Sequence, residues 1–153
     1  MRAVSRLHAL VTATGLLACL PTLAQSLKAK DIQPSGLTAN QAKQILLVVL
    51  KHEEFKMADR SMSIDGPWEG NGKGTLFRPG YYDFGLVYSN RKAAASNVLG
   101  HFAVNALTGD VWQTESCKRF NFAALSGIQK RISMRTGKKL ANDEVANDEI
   151  ACE

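Results

Sequence analysis

Polar and apolar residues alternate most cleanly between Tyr81 and Thr114, and this stretch organises the rest of the chain. Alternation places Tyr82, Phe84, Leu86 and Tyr88 on one face of a first strand, and Val98, Phe102 and Val104 on one face of a second. The turn Thr108-Gly109-Asp110 follows, where Gly109 can take the positive φ of a short hairpin loop, and Val111-Trp112 begins the return strand. Upstream, Thr38 and Gln41 form a T-x-x-Q capping box for a helix running to about Met57. The apolar run Ile45 to Leu50 would also suit a buried strand, but its flanks, Ala42-Lys43-Gln44 and Lys51-His52-Glu53-Glu54, are good helix context without turn residues. A second helix is expected from about Phe122 to Arg135, capped by Asn121, with Leu125, Ile128 and Ile132 at helical spacing and Gly137 as its stop. The pattern predicts an α+β fold in which a helix packs on a curved antiparallel sheet of three to four strands, with a second C-terminal helix.

The ends of the chain read differently. Arg2 and Arg6, an apolar core from Ala9 to Leu20 and small residues at Thr22 and Ala24 make residues 1–24 a secretory signal peptide. That core is shorter than the ~20 residues a membrane span needs. Leu16-Leu17-Ala18-Cys19 also resembles a lipobox, in which case Cys19 would carry a lipid anchor. Residues 25–36, polar with Pro34 and Gly36, are expected as a mobile lead-in, 37–137 as a single domain, and 138–153 as an acidic tail. In that tail Ala141-Asn142-Asp143-Glu144-Val145 is followed by Ala146-Asn147-Asp148-Glu149-Ile150. Its acids lack the alternate spacing and central glycine of a calcium loop.

Removal of residues 1–24 leaves 153 less 24, or 129, residues, enough for one core. It also removes two arginines, so the formal net charge falls from +5 to +3. The basic residues are scattered and lack interleaved aromatics, which argues against nucleic acid as a partner. Cys117 and Cys152 remain as an even pair in an exported chain, most simply one disulfide anchoring the tail, with two unpaired thiols as the alternative.

Candidate chemistry is thin. His52 and His101 are isolated, Asp83 is the single acid in the two long strands, no G-x-S-x-G or metal-ligand spacing occurs, and no cofactor is implied. The run Gly70-Asn71-Gly72-Lys73-Gly74 lacks the spacing of a phosphate-binding loop. Trp68 in this glycine-rich loop is the strongest candidate for a contact residue, with Asp65, Glu69 and Asn71 beside it. Alternatively, Trp68 folds back over the sheet as a lid.

The run F-A-V-N-A-L-T-G-D-V-W, Phe102 to Trp112, resembles the hairpin of PepSY-like and NTF2/cystatin-like bacterial domains. With the following Cys117 and a short helix, the stretch from about Gly80 to Gly137 also resembles immunity proteins that neutralise toxins delivered by type VI secretion. The resemblance implies a helix on a curved sheet and a periplasmic, non-enzymatic protein that binds another exported protein, a toxin or enzyme. A PepSY-like periplasmic binding or regulatory module is the alternative it leaves open. It transfers no catalytic residue, and the Trp68 loop lies outside the shared pattern.

Overall fold

The computed structural model describes residues 27–70, 74–90 and 95–150, so the expected signal peptide with Cys19 lies outside the described residues, as do Asn71 and Cys152. Among the described residues five strands, β1 (Met62–Asp65), β2 (Tyr81–Asn90), β3 (Ala95–Asn105), β4 (Val111–Gln113) and β5 (Lys118–Arg119), form one antiparallel sheet in chain order. The sheet thus gains two short strands at its edges beyond those the alternation marks. Strands of four and two residues are too short for a period of two to declare itself.

Helices α1 (Ala39–His52) and α2 (Ala123–Thr136) cover one face of the sheet, here the inner face. Ile45, Leu46, Val49 and Leu50 of α1 join Phe84, Leu86, Phe102, Val104 and Val111 of the sheet and Leu125, Ile128 and Ile132 of α2 in one core. Tyr82 packs against this core half-buried, and its hydroxyl donates to the Leu37 carbonyl at 2.9 Å.

The caps explain where the helices lie. At α1 the Thr38 hydroxyl accepts from the Gln41 amide at 3.3 Å, while the Gln41 side chain accepts from the Thr38 amide at 2.8 Å. The expected capping box therefore forms. The helix ends at His52, five residues short of Met57, because Glu54 adopts φ 63° and the Phe55 amide returns to the Leu50 carbonyl at 2.9 Å. This is a Schellman ending in which Phe55 folds back on the core, with a glutamate where glycine is usual. At α2 the first cap is Phe122 rather than Asn121, whose side chain instead accepts from the Ser126 hydroxyl at 3.2 Å. Gly137 stops the helix at φ 71° as expected.

One assignment of face is corrected. Leu86 pairs with Gly100 but Val87 pairs with Val98, so β3 carries an extra residue at this point. The bulge moves Val98 off the face of Phe102 and leaves it 51% exposed. Simple alternation cannot register such a shift.

Both ends of the described chain are packed. In the expected lead-in, Leu27 and Ile32 are buried, and Arg135 donates to the Ile32 carbonyl at 3.2 Å. In the acidic repeat, helix α3 (Asp143–Ile150) lies on the outer face of the sheet, with Ala146 and Ile150 buried against Tyr81, Ala103 and Trp112. The i,i+4 spacing of these two apolar residues supplies a docking stripe within an otherwise polar repeat. Tyr81 donates to the Glu149 carboxylate at 2.8 Å, Arg78 donates to the Ile150 carbonyl at 3.0 Å, and Arg119 pairs with Asp143. No described helix is long and apolar enough to cross a membrane.

Candidate functional site

The outer face of the sheet divides into a part covered by α3 and a part that no helix among the described residues covers. On the second part the residues after β1 turn back across β2. The turn is held by the Trp68 amide donating to the Asp83 carbonyl at 2.9 Å and by the Gly66 amide donating to the Asp65 carboxylate at 2.9 Å. The Trp68 indole then lies on Gly85, where a Cβ would meet the ring at 2.8 Å. A glycine inside a strand commonly marks such a close approach, and here an aromatic side chain fills the space that the missing side chain leaves.

Around Trp68 the sheet gathers acids and one histidine. The indole Nε1 is 3.4 Å from Asp65 Oδ2, and the ring meets His101 of β3 edge-on, with centroids 5.1 Å apart. His101 Nδ1 faces the Glu115 carboxylate, which also accepts from the His101 amide at 2.7 Å. Glu69 is exposed and forms a bridge with Leu76, while the Gly70 amide donates to the Thr75 carbonyl at 3.0 Å. This small ribbon and Phe77, 58% exposed, line a shallow groove of about 350 Å³. Val98, on the outer face, and Leu99 at the bulge, 44% exposed, add apolar surface.

Beneath this surface lies Asp83, 3% exposed. Its Oδ1 is 3.4 Å from Arg78 Nε, and among the described residues its Oδ2 has no hydrogen-bond partner. Burial pushes its carboxyl above the usual range against the opposing pull of Arg78. Asp110 is buried in the neighbouring hairpin and shifted upward by burial too, but it is better served. Arg119 pairs with it at 2.8 Å, and Trp112 donates to it at 3.1 Å.

The structure thus brings together Asp65, Trp68 and Glu69 of the expected contact set, and it adds His101 and Glu115, which the sequence did not connect to them. Two strand glycines, Gly85 and Gly100, were the signals available for the aromatic cover and the bulge. Cys117 sits in the β4–β5 turn at φ 50°, while its expected partner lies outside the described residues. Among the described residues no cluster of three or more His, Cys, Asp or Glu could hold a metal ion. What the arrangement offers is a half-buried aromatic anchor and an acidic rim, the chemistry of a contact surface.

Comparison with known proteins identifies the family. A chain from the structure of a type VI secretion system effector-immunity complex from Pseudomonas protegens superposes with a TM-score of 0.76 at 41% identity, over 83% of this chain and 98% of that one. No curated protein matches the chain. The model of the family described as T6SS immunity protein Tgi2PP matches residues 36–144. Of the resemblances drawn from the hairpin, the one to type VI immunity proteins is the one these matches carry. The chain belongs to the Tgi2PP family of type VI secretion immunity proteins.

Proposed function

We propose that this protein is exported to the periplasm and neutralises a type VI effector by forming a stoichiometric complex with it, using the Trp68 surface as part of the contact. The family's role is to bind and not to catalyse, and the similar structure from Pseudomonas protegens is described as an effector-immunity complex. The observation that carries the proposal is Trp68, propped on Gly85 over a part of the outer face that no described helix covers, with Asp65 at its indole nitrogen, Glu69 next in sequence and the His101–Glu115 pair beside its ring. A rigid aromatic set in an acidic rim suits a partner with a basic border around an apolar or cleft-like centre. The glycines of the loop allow its backbone to approach that partner closely.

Titrating the cognate effector with the purified protein tests the proposal. Its activity should fall linearly and vanish at one equivalent, with a complex of fixed stoichiometry isolated by size exclusion. Loss of effector activity at small fractions of an equivalent, or the absence of any complex, would contradict it. Export is tested separately: the mature protein should begin at Gln25 in the periplasmic fraction, or at an acylated Cys19 in the membrane fraction. Full-length protein retained in the cytoplasm would refute export.

A further inference from the structure

A second surface lies at the β5 edge of the sheet, at the far end of the strand order from β1. There the segment after Gly137 carries the chain from α2 on the inner face to α3 on the outer face, leaving a cleft of about 610 Å³. Lys130, Lys138 and Lys139 line it and are exposed, and among the described residues no ion pair holds any of them. Leu140, 43% exposed, supplies an apolar edge, with the buried Phe120 behind the lining, and Ser126 and Ser133 are among its polar groups. A volume of a few hundred cubic ångströms with mixed polar and apolar lining is typical of a recognition site.

The acids at this cleft are already committed. Asp110 is paired with Arg119, and Asp143 reaches the same guanidinium from the start of α3. Arg119 also donates to the Ala141 carbonyl at 3.0 Å, which fixes the crossing segment that forms one wall. The contact between Asp143 and Arg119 is itself a carboxylate on a chain segment seated at the cleft wall. The three lysines beyond it have no such counterpart among the described residues.

We infer that this cleft is a binding site for an acidic peptide segment of a partner protein, separate from the Trp68 surface. The lysines would meet its carboxylates, and the exposed Leu140 would pack against an apolar side chain. Three exposed lysines lining one cleft give it a positive potential that is strongest at low salt, so charge complementarity selects the occupant.

The test uses a synthetic hexaglutamate peptide and the intact protein, with binding followed by calorimetry at low salt. A triple variant, Lys130→Gln with Lys138→Gln and Lys139→Gln, should bind the peptide about tenfold more weakly. A charge-matched variant, Lys51→Gln with Lys56→Gln and Arg60→Gln, should lose less than about threefold, the share expected from net charge alone. Both variants should keep the wild-type melting temperature, since every substituted side chain is exposed. Equal losses in the two variants would overturn the inference by reducing it to net charge. Failure of the wild type to bind hexaglutamate would overturn it outright. Full competition by inorganic phosphate at equal concentration would overturn it in favour of a small-anion site. Effector binding should be unchanged in the triple variant, so this result and the test of the Trp68 surface stand apart.

Discussion

The two faces of the sheet are built to different rules. The inner face is closed by two helices and holds Phe84, Leu86, Phe102 and Val104 at no more than 1% exposure. Among the described residues the outer face is closed in one part by α3 and capped in another by the Trp68 ring on Gly85. The inner face is a core that burial of apolar surface makes stable. The other part of the outer face keeps exposed Val98 and, beneath it, a buried carboxylate oxygen of Asp83 that has no hydrogen-bond partner among the described residues, neither of which burial of apolar surface would place there. The difference separates the residues that hold the fold from those proposed to make contact.

The largest expected effect tests the inner face. Phe102→Ala removes a side chain 1% exposed and leaves a cavity among Phe120, α1 and α2, and should cost about 3 to 5 kcal/mol in chemical unfolding. A loss of only a few tenths would mean that Phe102 does not belong to the core. Next comes the proposed Cys117–Cys152 disulfide, which would close a loop of about 36 residues and tie the end of α3 to the β4–β5 turn. In the chain-entropy model it is worth up to about 4 kcal/mol, less because α3 already docks through Ala146 and Ile150. Mass spectrometry of the unreduced protein should find neither Cys117 nor Cys152 open to alkylation. Two alkylated thiols would remove the staple.

How much of this was legible follows from the same division. The inner face could be read because its residues obey one period each: two for Phe84, Leu86, Phe102 and Val104, and near four for Ile45, Val49, Leu125 and Ile132. Caps at Thr38 and Gly137 and the turn at Gly109 were legible because each needs a particular side chain or φ. The outer face was harder to read because its organisation depends on chain crossings. Trp68 meets His101, itself paired with Glu115, only once the loop returns over Gly85, and α3 docks through two apolar residues within a polar repeat. The bulge at Leu86/Val87 then reversed the face of Val98.

A smaller effect concerns the buried acid of the outer face. Burial raises the folded pKa of Asp83 above its unfolded value, so the native state takes up its proton at higher pH than the unfolded chain. The ionised carboxylate therefore costs stability at neutral pH, and the cost is relieved as pH falls through the raised pKa. Asp83→Asn should raise stability at pH 7 by about 1 kcal/mol, the scale of an unsatisfied buried group, and the advantage should shrink on acidification. An advantage that stays constant from pH 7 to pH 4 would show that ionisation of Asp83 is not its source.

The central claim, that the uncovered outer part is a contact surface and not a lid over the core, is tested most directly by Trp68→Ala in paired measurements of melting and of effector affinity. Trp68 is half-buried and rests on the face opposite the main core. The account predicts a melting temperature within a few degrees of wild type, together with effector binding weakened about thirtyfold or more, the loss expected of an interface anchor. A variant that melts far earlier yet binds the effector with full affinity at low temperature would contradict it.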